Sequence, residues 1–225
     1  SDLAAVEALA MGHGRAVWTH RRGAAPPEVA AWRLAAAPAA RVAAFGRVFA
    51  TAPGMFSADG VDPGTARLAA ALPALSGRVA DLGAGWGALS AAALSASPGI
   101  ARIELIEADH AALEAARGAL GDDPRAVFRW EDAARAGPAG AFDAALCNPP
   151  FHAGRRADPA RGLALLEAAA GLLAPGGVLH AVANRRLPYE RRLGELFGEV
   201  AEIGGDGTYK LLRAARPRRL TRRAR

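Results

Sequence analysis

Four groups of residues in this chain have the types and spacing to do chemistry. The first is Asn148-Pro149-Pro150-Phe151, which follows the apolar run Phe142 to Cys147. A short apolar run of this kind reads as a buried strand. The two prolines end it, because neither has an N–H for a ladder and each fixes its own φ. Asn148, placed before a proline, is pushed toward an extended or turn backbone. The product is a rigid corner at the C-terminal end of a strand, where open α/β sheets bind ligands. It offers an amide side chain, main-chain carbonyls and an aromatic ring.

The second group is Asp81-Leu82-Gly83-Ala84-Gly85-Trp86-Gly87, a strand-to-helix turn with the spacing G-x-G-x-G. Glycines there permit a sharp turn and close approach to a ligand. A diphosphate prefers a helix N-terminus with few acids nearby. Asp81 therefore favours a cationic ligand, such as the amino group and sulfonium of S-adenosylmethionine. The third group is Glu107, about 20 residues beyond the glycines, where a carboxylate can accept hydrogen bonds from ribose hydroxyls. The fourth is Asp132, after Arg129-Trp130-Glu131, where a carboxylate can accept from an adenine amino group.

Together these suggest methyl transfer to an exocyclic amine. The lone pair of such an amine is delocalised into its ring. Two acceptors, the Asn148 side-chain oxygen and the Pro149 carbonyl, can hold both amino hydrogens, aim the lone pair and stabilise the developing positive charge. Phe151 can stack on a planar acceptor, a contact worth ~1–3 kcal/mol for a base. No strong base is needed, because the proton can leave after transfer.

The elements that must position these groups alternate. Strands are expected at Arg78–Leu82, Arg102–Glu107, Ala126–Arg129, Phe142–Cys147 and Val178–Ala183. Helices are expected at Thr65–Leu75, Ala88–Ser97, Ala111–Leu120, Arg161–Leu173 and Tyr189–Phe197, with Pro175-Gly176-Gly177 as a helix stop. Glu199–Ile203 and Thr208–Ala214 read as a closing antiparallel pair. This order implies an α/β fold with a mostly parallel, Rossmann-like sheet and helices on both faces. Before it, Asp2 can N-cap a short helix through Met11, and Glu28–Ala37 reads as another helical turn or two. Arg41–Ala44 and Arg47–Ala50 read as a hairpin around Phe45-Gly46. Three parts are expected: 1–50 as a short cap carrying that hairpin, 51–215 as the catalytic domain, and 216–225 as a basic tail.

Hydrophobic residues make up 52% of the 225 and charged residues 22%, an ordinary globular balance. No apolar run reaches membrane-spanning length, and no signal-peptide pattern is read. One cysteine excludes an internal disulfide and fits a reducing cytoplasm. Cys147 is expected as a buried structural thiol. His13, His20, His110 and His180 lack metal-ligand spacing, so no metal site is expected. His152, after the proline corner, reads either as a substrate contact or as a space-filling loop residue. The net charge of +6 is concentrated in residues 210–225, which hold eight basic residues and no acid. That segment reads as a phosphate-binding arm. Arg155, Arg156, Arg185 and Arg186 follow two strand ends and are candidates to meet phosphates at the acceptor mouth.

The chain resembles class I S-adenosylmethionine-dependent methyltransferases. More narrowly, it is similar to the bacterial methyltransferases that modify guanine N2 in 16S rRNA. The resemblance runs from about Arg41 to Ala214. It rests on the glycine turn, on Asn148-Pro149-Pro150-Phe151-His152, on the loop Gly54 to Thr65 and on Ala183-Asn184-Arg185-Arg186-Leu187-Pro188-Tyr189. It implies cofactor contacts at Phe56, Asp62, Thr65, Asp81, Gly83, Gly85, Glu107, Asp132 and Asn148, and acceptor contacts at Asn148 to Phe151. Ribosomal RNA is the implied partner, with the target base unpaired or flipped out. Those enzymes usually carry a full N-terminal domain; here about 40 to 50 residues precede the match. Protein glutamine or adenine N6 methylation is the neighbouring alternative, although those families tend to carry Tyr at the Phe151 position. A catalytically silent RNA-binding module is the alternative of another class.

Overall fold

The computed structural model describes residues 3–11, 14–21, 40–150, 152–153, 156–157 and 159–218. The chain divides into two units, Ser1–Ala37 and Pro38–Arg225.

In the first unit, β1 (Leu3–Met11) and β2 (Gly14–Arg21) pair antiparallel, with Met11 opposite Gly14. The helix expected through Met11 is therefore a strand. Its alanines favour helix by only tenths of a kcal/mol each, which pairing with β2 outweighs. The turn expected at Glu28–Ala37 lies outside the described residues.

The second unit opens with β3 (Ala40–Ala44) and β4 (Arg47–Thr51), turning through Phe45 and Gly46, both at positive φ. This hairpin packs within the larger unit rather than on a cap. Phe49 is fully buried, its ring 4.8 Å from that of Trp86. Next comes α1 (Pro63–Ala71), with Asp62 as N-cap and proline in its first turn. It stops short of the expected Leu75 because Leu72, before Pro73, is extended.

The sheet and its helices follow as β5 (Gly77–Leu82), α2 (Ala88–Ala96), β6 (Ile100–Glu107), α3 (His110–Leu120), β7 (Ala126–Trp130) and β8 (Phe142–Cys147). A two-residue ladder, β9 (His152–Ala153) with β10 (Arg156–Ala157), precedes α4 (Pro159–Leu172). Then come β11 (Leu173–Asn184), α5 (Tyr189–Leu196), β12 (Phe197–Gly205) and β13 (Tyr209–Pro217). Pro175-Gly176-Gly177 does not separate helix from strand as expected. It forms an irregularity inside β11, where the register to β8 shifts between Leu173 and Val178.

The seven-stranded sheet runs β12-β13-β11-β8-β5-β6-β7. The contacts from β11 through β7 are parallel, and β13 lies antiparallel to both β11 and β12. Apolar residues of α1, α2 and α3 cover one face, and those of α4 and α5 the other. Each face thus removes its alternate strand side chains from water, at about 25 cal/mol per Å². From β5 the chain winds outward to β7, then crosses back to β8 on β5's other side. That reversal leaves a crevice beyond the C-terminal ends of β5 and β8. No helix among the described residues is long and apolar enough to cross a membrane.

Candidate active site

Register places the two motifs next to each other. Leu82 of β5 pairs with Cys147 of β8 and with Ile106 of β6. The residues that follow, Gly83, Asn148 and Glu107, therefore leave three adjacent strand tips. A pocket at this point is lined by Phe56, Asp62, Thr65, Asp81, Gly83, Gly85 and Asn148, together with Ser57, Ala84, Trp86, Ala88 and Leu89. Seven of the expected site residues thus meet in one cavity.

On the glycine side the wall is largely backbone. Gly83 and Gly85 have φ of 68° and 55°, the left-handed region. A Cβ on Gly85 would meet nothing within 4 Å, so its glycine serves conformation rather than clearance. Asp81 lines the pocket but is only 1% exposed. Ser90 Oγ donates to its Oδ2 at 2.6 Å. Burial pushes its pKa up to about 7, the Glu107 charge adds to the rise, and the Ser90 bond opposes it. An aspartate so desolvated gains most from a cation placed beside it. The two Glu107 oxygens accept from Gly85 N–H and Asp109 N–H, each at 2.8 Å. Each oxygen keeps a lone pair for another donor.

On the Asn148 side the wall is a held side chain. Asn148 Nδ2 donates to Asp62 Oδ2 at 2.9 Å and to Thr65 Oγ1 at 2.8 Å. Pro149 is buried and Pro150 exposed. A Cβ on Gly162 would lie 2.0 Å from the Tyr189 hydroxyl and 3.4 Å from Pro149 Cβ. The glycine thus lets the buried Tyr189 ring pack close behind the proline corner. Cys147 is fully buried, and burial pushes its thiol pKa up, which suits a structural rather than a nucleophilic role.

Some expected residues lie elsewhere. Glu107 and Asp132 sit at neighbouring strand ends, outside the pocket lining. Asp132 caps a short 3₁₀ turn through Ala134 N–H, and its side chain is exposed. Phe151 and Arg155 lie outside the described residues, and of the His152 and Arg156 side chains nothing is described. Arg185 is committed to the closing hairpin, donating to Asp206 O at 2.6 Å and Glu202 Oε1 at 2.8 Å. Part of the basic stretch expected as an arm is tied into the fold. Lys210 is buried in β13 and bonds Leu187 O, and Arg216 pairs with Glu199 at 3.1 Å. Residues 219–225 lie outside the described residues.

Two contributors were not read from the sequence. Ser90 sits one helical turn after Gly87, facing back onto Asp81. Trp86 donates from Nε1 to the Phe56 carbonyl at 3.0 Å, tying the long loop to the glycine turn. A polar residue in the first turn after a glycine-rich loop is the only signal that pointed to Ser90.

Comparison with known proteins supports the fold that carries these residues. A 16S rRNA N2 G1207 methyltransferase of T. thermophilus, solved with AdoMet and guanosine, superposes with a TM-score of 0.67 at 28% identity, over 96% of this chain and 59% of that one. The TYW2 protein of M. jannaschii, solved with AdoMet, has a TM-score of 0.54 at 15% identity and shares the fold. The ribosomal RNA small subunit methyltransferase C of Klebsiella pneumoniae is 38% identical over 164 residues, 72% of this chain and 48% of that protein. This chain spans about half the length of the curated relatives it matches. The methyltransferase small domain profile matches residues 46–213, three quarters of the chain and all of the sheet but the end of β13, and on that match the chain belongs to the methyltransferase small-domain family.

Proposed function

We propose that this chain binds S-adenosylmethionine between the glycine turn and the Asn148 corner and methylates guanine N2 in small-subunit ribosomal RNA. The residues present fit such a donor. Asp81 is a desolvated carboxylate that meets the cationic amino-acid part. Glu107 takes the ribose hydroxyls on its remaining lone pairs, and Asp132, one strand further out, takes the adenine end. When bound, the donor supplies an electrophilic methyl group on its sulfonium.

The chain's own residues do the rest. Asn148 Oδ1 and the Pro149 carbonyl accept the two amine hydrogens of the acceptor. They hold its nitrogen toward the donor and stabilise the charge that grows there. Phe151 stacks on the base. The proton then leaves to solvent. The observation that carries this reading is the adjacency of Gly83 and Asn148 on neighbouring strand tips, both facing one pocket. The relative solved with AdoMet and guanosine supports the donor and the base.

The test is transfer of tritiated methyl from S-adenosylmethionine to small-subunit RNA from cells lacking this gene, followed by nucleoside analysis. Label in N2-methylguanosine is expected. Label in N6-methyladenosine, or in protein glutamine, overturns the acceptor assignment.

A further inference from the structure

We propose that Asp62 and Thr65 are positioning residues for Asn148, clamping its amide so that only the oxygen faces the acceptor amine. This rests on the reading above and goes further, because it assigns to the acceptor side two residues that family resemblance places on the donor.

The argument is a count of hydrogen-bonding capacity. The Asn148 amide nitrogen has two hydrogens. One is given to Asp62 Oδ2 at 2.9 Å and the other to Thr65 Oγ1 at 2.8 Å. Nothing remains to donate, so the amide meets the pocket as a pure acceptor. Rotating it by half a turn would set its oxygen against a carboxylate oxygen, two acceptors face to face. The orientation is therefore chemically determined.

The clamp is itself fixed. Asp62 Oδ2 also accepts from Thr65 N–H at 2.8 Å, as the N-cap of α1. Asp62 and Thr65 are each 8% exposed, so these bonds compete little with water. Pro63 presets the backbone between them. A Cβ on Gly64 would lie 2.9 Å from Asp62 Oδ2 and 3.0 Å from Tyr209 Cε1, so this glycine keeps room for the clamp. The carboxylate also polarises the amide and makes its oxygen a stronger acceptor as the amine turns cationic.

The test uses the full chain with Thr65→Val, Asp62→Ser and Thr65→Ser. Serine keeps the helix cap but is too short to reach Asn148. Turnover with RNA should fall about tenfold or more in Thr65→Val and Asp62→Ser, as misplacement of a reacting group predicts. The calorimetric dissociation constant for S-adenosylmethionine should stay within about twofold, and Thr65→Ser should recover most of the turnover. Weakened donor binding with turnover intact at saturating donor would make these residues donor contacts and overturn the proposal; unchanged turnover would also overturn it. A readout that needs no acceptor is the Asn148 side-chain amide in ¹⁵N–¹H spectra, assigned by its loss in Asn148→Ala. Slow hydrogen exchange in the wild type and fast exchange in Asp62→Ser are expected. Wild-type exchange as fast as that of a surface asparagine would refute the clamp, whatever the substrate. Failure of the functional reading shows separately, as a wild type that does not methylate guanine.

Discussion

Around Gly83 to Gly87 the pocket wall is main chain, and its one buried charge, Asp81, is poorly satisfied. Around Asn148 the wall is a side chain whose donors are both used. The first region holds free energy in reserve until a cation arrives. The second has already met its cost in folding and presents a fixed dipole. The contrast suggests a division of labour in which the glycine side sets affinity and the Asn148 side sets rate.

Breaking the acceptor side should have the largest effect. Asn148→Ala should lower turnover by about 10²–10³-fold, the usual loss for one preorganised group at a developing charge. Calorimetry should find donor affinity nearly unchanged; parallel loss of affinity would merge the two regions into one.

Breaking the donor side should act on affinity instead. Asp81→Asn should weaken donor binding by about 2 kcal/mol or more, roughly thirtyfold, as loss of a buried charge partner does. The same change should stabilise the free protein at pH 8 by about 2–4 kcal/mol, measured by denaturant unfolding. The sign follows from the raised pKa. The folded carboxyl, at about 7, holds its proton where the unfolded one, near 3.8, has lost it. Asp81 therefore costs nothing below pH 4, and its penalty grows as pH rises to about 7.

The same titration sharpens the comparison. Donor affinity should fall toward tenfold per pH unit below about pH 7, because the cation must meet the ionised form. A flat profile from pH 5 to 8 would remove Asp81 from the donor contact.

Gly87→Ala should cost about 1–3 kcal/mol of stability. Its φ is 89°, and a new Cβ would lie 3.0 Å from that of Ala116. The smallest effect is expected from Arg185→Ala, under about 1 kcal/mol, since its pairing with Glu202 is exposed.

Much of this was legible because the local signals agreed with the fold. The strand Phe142–Cys147 has the bounds its apolar run implies. The Phe45-Gly46 hairpin follows from its turn residues. The reading failed where tertiary context outweighed propensity, as at Leu3–Met11, and where a strand absorbed a proline-glycine break, as in β11. The Asn148-Pro149-Pro150 corner was legible as a motif, whereas the hydrogen bonds that hold Asn148 were not. Asp62 and Asn148 stand 86 positions apart, and only the packing of α1 against the sheet brings them together. Likewise the basic stretch gave charge, but only the fold takes Lys210 into the interior.

Trp86 gives the molecule an optical reporter of its own. The indole is 4% exposed, lies against Phe49, and is bonded to the Phe56 carbonyl at the pocket edge. Its emission should be blue and that of Trp130, which is 68% exposed, red. The difference between the wild type and Trp86→Phe isolates it from the chain's three other tryptophans. A ligand that displaces the Phe56 loop must break that indole bond, so fluorescence can follow loop movement in real time without any added label.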